Sequence, residues 1–320
     1  MKLSLKRRVV VLFIILFFAI LLGILKGSVS IPFNELFFKE NQPILYLRLS
    51  RILIAVVAGC GLAVSGIVLQ AILRNSLAEP YLLGTSSGAG LGAVIAIISG
   101  ISRIYLPLVA FIGAILSIIL VYNLARENNK IPEQSLILSG VIVSVALSAI
   151  IVFLISISGN EALHGMTWWL WGSFQVYDLK LLSIVSIIVF FGISVIYIFS
   201  QDLNAISIGE EEATHLGIDV EEVKKILILI TSLITASLVC ICGIIGFAGL
   251  MIPHMMRLIV GPNHKILIPT TVLAAAIFMV ISDTLSRTLF PPLEIPIGVI
   301  TAILGAPTFI FLLKRKQGIK

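Results

Sequence analysis

In the stretch "LYLRLSRILIAVVAG", residues 45–59, Arg48 and Arg51 stand at the mouth of a long apolar run, and Arg287 closes another such run. A guanidinium is a planar, permanently charged fork that grips a carboxylate through paired hydrogen bonds. For Arg48 and Arg51 the alternatives are a plain interfacial anchor, whose head reaches the headgroups, and a fork that pairs with an acid on a partner. Asp283 lies four residues before Arg287, and a one-turn helical spacing already offers one such pair.

Other reactive side chains form no constellation. His164, His215, His254 and His264 are dispersed, and no G-x-S-x-G context for a nucleophile is present. Cys60, Cys240 and Cys242 fall inside apolar runs and lack the second ligand pair of a zinc site, so they read as small packing residues. No resident metal or cofactor is expected. The segment "GAGLGA", 88–93, matches the dinucleotide fingerprint in spelling, but no strand precedes it and no acid follows at the required distance. Gly84, Gly88 and Gly92 instead recur every four residues, the spacing that lets helix backbones approach closely in lipid. The chain contains no G-K-[ST], hence no phosphate-binding loop, and any ATP chemistry belongs to a partner. An enzyme has no residues to stand on here.

The elements that position these residues are set by hydropathy. The 320 residues are 59% hydrophobic and 12% charged, with a mean hydropathy of +1.14, against roughly 25% charged residues in an average soluble domain. Apolar stretches of about 20 residues recur along the whole length, each sufficient to cross a bilayer as a helix and too continuous for barrel strands. Breaks at Gly, Pro and charge clusters predict an all-α, polytopic membrane protein. Its ten spans fall at about 9–26, 51–73, 81–99, 105–125, 134–157, 180–200, 225–243, 246–260, 267–287 and 296–313. Residues 1–320 form a single transmembrane domain, the first span is expected to remain uncleaved, and the break at Gly243–Gly246 decides the orientation of everything after it.

With the N-terminus inside, 15 basic residues fall on the cytoplasmic side and 7 outside, which predicts cytoplasmic N- and C-termini in the cytoplasmic (inner) membrane. The net charge of +6 is scattered at span ends and gives no nucleic-acid surface. Arg48, Arg51 and Arg287 are then outward-facing exceptions, and the cluster "MTWWLWGSF", 166–174, falls at the same face as an interfacial belt. The longest charged stretch, 201–225, lies inside; Glu210 to Glu212 suit the first turn of a short helix and Gly217 is placed to end it. It reads as a helical knob projecting into the cytoplasm. Span interiors carry almost no ionisable groups besides Asp283, which disfavours an ion-coupled secondary transporter.

Six stretches carry a resemblance, in order from residue 48 to 313: "RLSRILIAVVAGCGLAVSG", "LQAILRNSLAEPYLLGTSSGAGLG", "LILSGV", "ISIGEEEATHLGI", "GIIGFAGLMIPHMMRLIVGPNHKILIP" and "SDTLSRTLFPPLEIPIGVITAILGAPTFIFLL". Together they resemble the permease subunit of the iron–siderophore, haem and vitamin B12 class of ABC importers. The resemblance implies a vitamin B12-permease-like homodimer of ten spans per subunit, two cytoplasmic P-loop ATPases below it and an extracytoplasmic substrate-binding protein above. The implied cargo is an iron–siderophore complex, with vitamin B12 or haem as the alternative.

The resemblance also implies residue roles. Arg48, Arg51 and Arg287 would pair with glutamates of the binding protein. The ATPases would be engaged through about 206–218, with Gly209, Glu210, Glu211, Ala213, Leu216 and Gly217 as coupling residues. Asn75 and Leu77 on one loop and Glu133 and Gln134 on another would form the cytoplasmic gate. Ser50 replaces the Pro of the family's R-L-P-R, Ser76 replaces the Pro after the gate Asn, and Glu133 and Gln134 stand where small hydroxyl residues are familiar.

Overall fold

A computed structural model describes residues 5–317, apart from 30, 33, 37, 129, 176 and 177. Lys2 and Lys320, two of the basic residues in the charge count, lie outside the described residues, as do the side chains of Arg315 and Lys316. Among the described residues the chain is helical with no strand longer than an isolated bridge.

Seven helices are long and apolar enough to cross a membrane. They are α1 (Leu5–Leu25), α2 (Gln42–Ile72), α4 (Leu106–Ala125), α5 (Glu133–Ser156), α7 (Leu179–Ile198), α10 (Val220–Cys242) and α12 (His264–Thr288). Three more apolar helices are shorter or slighter, α3 (Thr85–Ile98), α11 (Ala248–Val260) and α13 (Ile297–Gln317). These ten match the ten expected spans in order. Three short helices, α6 (Asn160–Leu170), α8 (Ser200–Ile206) and α9 (Glu210–His215), complete the set. The second span is longer than expected: its helix starts at Gln42, so Arg48 and Arg51 sit inside it rather than before it. The tryptophan stretch is also more than a belt, since residues 160–170 form the helix α6, which packs on α3.

α2 is the central post. It packs against α1, α7, α10, α11 and α12, and every residue from Leu62 to Ile72 is buried. A helix apolar on all sides belongs in an interior, and here the interior is lined by small side chains that draw backbones together. A Cβ on Gly66 would lie 1.8 Å from the carbonyl oxygen of Gly249 in α11. Only glycine permits that approach.

The predicted break after the seventh span is present. α10 stops at Cys242, Gly243 takes a left-handed backbone with φ of 69°, and α11 starts at Ala248. This irregular segment meets two others. The Ser173 N–H donates to the Cys242 carbonyl, the Ile297 N–H to that of Gly172, and the Gly298 N–H to that of Trp171. Tyr81 spans the gap: its hydroxyl accepts from the Ile245 N–H at 3.1 Å and donates to the Ile245 carbonyl at 3.0 Å. In a lipid slab such backbone must be answered by protein, and here three breaks and one tyrosine answer each other.

The glycine ladder divides into two functions. Gly84 lies before α3, not on it, and ends the preceding turn in a left-handed conformation with φ of 75°. Gly88 and Gly92 are on α3 and face α4 of the same subunit. A Cβ on Gly88 would stand 2.5 Å from the Gly113 carbonyl oxygen and 2.3 Å from Ser117 Oγ. Gly88→Leu should therefore destabilise the solubilised subunit itself, by about 1–3 kcal/mol from overpacking, with a lower melting temperature. Gly165→Ala, whose new Cβ would find its nearest neighbour at 4.0 Å, should melt like wild type.

Candidate functional site

The three arginines converge at one end of the bundle, where α1 ends, α2 begins and α12 ends. Arg51 donates from Nε and Nη2 to one oxygen of Asp283, at 3.0 and 2.9 Å, and from Nη1 to Glu294 at 2.6 Å. Arg287 Nη2 stands 2.8 Å from the second Asp283 oxygen, within ion-pair distance but off the angle of a hydrogen bond. The same Nη2 also donates to the Gly23 carbonyl of α1 at 3.2 Å, and Nη1 donates to that of Lys26, just past the helix end, at 3.1 Å. Arg48 does the same, donating to Ile24, Leu25 and Val29 at 2.8, 3.2 and 2.6 Å. The last carbonyls of α1 have no helical partners, and cations there also match the negative end of the helix dipole.

This geometry corrects one part of the sequence expectation. The arginines do not project as free forks: Arg48, Arg51 and Arg287 are 4%, 7% and 2% exposed, and Asp283 is fully buried. Isolated cations at this depth are costly, so each is turned inward to an acid or to carbonyls. The i,i+4 pair of Asp283 with Arg287 was visible in the sequence. Arg51–Asp283 and Arg51–Glu294 span 232 and 243 residues, and no local spacing signals them.

Glu294 closes the cluster. It accepts from Gln175 Nε2 at 2.8 Å as well as from Arg51. Burial raises its pKa, but the charge of Arg51 and the hydrogen bonds from Arg51, Gln175 and Ser28 outweigh it and hold the carboxyl below its usual range. Three guanidiniums against two carboxylates leave the cluster one positive charge in excess. A cavity of about 170 Å³ opens beside Arg48, Arg51, Arg287 and Glu294.

The opposite end carries the knob and the segments that hold Asn75, Leu77, Glu133 and Gln134. α9 ends in a Schellman turn: the Ile218 N–H donates to the Ala213 carbonyl and the Gly217 N–H to that of Thr214, with Gly217 at φ of 83°. Asp219 then caps α10 by accepting from the Glu222 N–H at 3.0 Å. Ala213 is buried and anchors the knob, Gly209 precedes α9 as its cap, and Glu211, Leu216 and Gly217 are exposed. Glu210 is different. It pairs with Lys224, which is itself buried and also lies 3.7 Å from Glu221.

Glu221 in turn accepts from the Ile131 N–H at 3.0 Å, just before α5. The segment after α2 and the start of α5 meet through Arg74, whose Nε donates to Glu133 at 2.7 Å. Asn75 accepts from the Leu77 N–H at 2.9 Å, while Leu77 and Gln134 are exposed. Burial raises the pKa of Glu79 beside them. Sequence reasoning singled out Glu133 but missed its partner Arg74 and the pair Lys224 and Glu221, because singly spaced charges at span ends look like ordinary anchoring.

Comparison with known proteins follows this geometry. Residues 11–315 match the FecCD transport family. The chain is 39% identical to the cobalamin import system permease protein BtuC of Halobacterium salinarum, over 85% of this chain and 73% of that one. It is 34% identical to the Fe(3+) dicitrate transport system permease protein FecD of Escherichia coli, over 93% and 95%. An inward-facing solved structure described as a metal-chelate type ABC transporter superposes with a TM-score of 0.87 at 33% identity, covering 97% of this chain and 99% of that one. The chain belongs to the FecCD family. It is a multi-span permease subunit of an ABC importer and not itself an enzyme, ATP hydrolysis residing on a separate subunit.

Asp283 should be the most sensitive residue of the arginine cluster. Asp283→Asn leaves two buried guanidiniums facing a neutral amide, and removing one partner of a buried pair costs about 3–5 kcal/mol. Thermal unfolding of the solubilised subunit should register that loss, and Glu294→Gln, at a position whose side chain is 20% exposed against none for Asp283, should cost clearly less.

Proposed function

We propose that this subunit passes a bulky metal chelate, an iron–siderophore complex in the first instance and vitamin B12 or haem as the alternative, across the cytoplasmic membrane. It works as a homodimer with two P-loop ATPases on the knob side and a substrate-binding protein on the arginine side. Both termini are then cytoplasmic. The observation that carries this reading is the family match across residues 11–315, joined to a folded knob that buries Ala213 and exposes Leu216.

The knob suits a cleft on another protein. Ile208 and Leu216 are 74% and 72% exposed, beside the acids Glu211 and Glu212. Its base is tied inward by Glu210–Lys224 and onward by Glu221 to the Ile131 N–H, next to the gate pair Arg74–Glu133. Movement of an ATPase against the knob thus reaches both gate loops through charged contacts rather than through lipid-facing surface. At the far end, a glutamate of the binding protein enters the cavity beside Arg48, Arg51 and Arg287.

An ion-coupled transporter needs a carboxylate free to take up and release its ion at mid-membrane. Asp283, the buried acid of the spans, is instead held between two guanidiniums.

Two measurements test this reading. Proteoliposomes containing the permease, its ATPase and its binding protein should accumulate radiolabelled iron–siderophore only with ATP. Uptake of labelled cobalamin or haemin instead would reassign the cargo, and uptake driven by an ion gradient without the ATPase would overturn the importer reading. For coupling, Gly217→Pro removes a turn donor at a φ that proline cannot adopt, and Glu211→Arg reverses an exposed charge at a helix start. Both variants should insert normally, yet their ATPase rate should fall to the unstimulated level when loaded binding protein is added. Full stimulation in both would separate the knob from coupling.

A further inference from the structure

The cluster at the end of α2 holds a carboxylate that the docking reading does not use. Glu294 is the outermost acid there, with 20% of its side chain exposed against none for Asp283. It occupies Arg51 Nη1, the arm of that fork left over once Asp283 has engaged Nε and Nη2. The cavity of about 170 Å³ opens onto this pair. Around it the connection between α12 and α13 presents Leu289, Phe290 and Leu293, the last 73% exposed. An apolar rim beside a cationic pocket with one positive charge in excess fits a protein surface bearing an acidic side chain.

Glu294 also belongs to the seal between two loops. Its bond to Gln175 runs beside those from Ile297 and Gly298 to Gly172 and Trp171. The same connection is fixed to α12 at Ser286, which exchanges hydrogen bonds with Ile295 in both directions. Glu294 thus lies between a segment tied to α12 through Ser286 and a contact with residues 171–175 to which its own bond to Gln175 contributes.

We infer that Glu294 is a built-in stand-in for the docking protein's carboxylate: it fills the free arm of Arg51 until an incoming glutamate displaces it. Displacement breaks the Glu294–Gln175 bond, so docking loosens the contact between the α12–α13 connection and residues 171–175. This rests on the docking reading above. It adds that the permease carries its own competitor, which weakens docking and links it to the loop seal.

The test titrates the ligand-loaded binding protein against the permease–ATPase complex in nanodiscs at low salt. Glu294→Gln removes the competing charge and should tighten docking about three- to fivefold, the range an exposed ion pair supports. Gln175→Leu loosens Glu294's seat without touching Arg51, and should shift affinity in the same direction by about twofold. It also covers the case in which Glu294→Gln folds poorly. Unchanged or weaker docking in both variants, with Arg51→Gln still weakening it, overturns the stand-in and leaves docking at the arginines intact. Docking that ignores Arg51→Gln, or no docking by the wild-type complex, removes the docking reading and this inference together.

Discussion

A bilayer has no water with which to satisfy a broken backbone, and that constraint organises this protein. Each place where a helix stops short of the surface must find its hydrogen-bond partners in the chain itself. The break between α10 and α11, the approach to α7 and the entry to α13 solve this by meeting at one point, with Tyr81 serving both polar groups of Ile245. The glycines at this point are there for space. A Cβ on Gly243 would sit 2.2 Å from the Trp169 carbonyl oxygen, and one on Gly298 would sit 2.4 Å from that of Trp171. Three irregular segments can share one site only if their backbones touch.

The same constraint explains the arginines. The end of α1 exposes carbonyls that nothing in its own sequence can satisfy, and Arg48 and Arg287 supply the donors from α2 and α12. Arg287 in turn pairs with Asp283, which shares Arg51 with Glu294. Backbone satisfaction and charge neutralisation are thus one network at this end. At the other end they separate: the Schellman turn and the Asp219 cap close the knob's backbone, and charged side chains are left to connect it to the segment before α5.

Much of the architecture was legible because hydropathy is a strong signal in lipid. Ten apolar runs became ten helices, and the Gly243–Gly246 break and the turn at Gly217 fell where glycine spelled them. What the sequence hid was long-range or conditional. Tyr81 looks like any aromatic in an apolar run until residue 245 is placed against it. The helix α6 was masked because its tryptophans suit an interface equally well without one. Arg51 looked outward because its two acids lie more than 230 residues away. Gly84 shares the period of Gly88 and Gly92, yet its left-handed backbone puts it in a turn, a distinction that spacing alone does not carry.

The clamp on α1 has a consequence for biosynthesis. Only 17% of the apolar window of α1 is buried; beyond its packing on α12 and α2 it is held by the arginines at its end. The carbonyl of Gly23 and the guanidinium of Arg287 are separated by 264 positions. In synthesis α1 precedes α12 by most of the chain: Arg48 on α2 can serve the Ile24 and Leu25 carbonyls early, while the Gly23 carbonyl waits for Arg287. The arrival of α12 then adds Arg287 to a clamp that Arg48 of α2 has already begun, so helices made far apart in time close one contact.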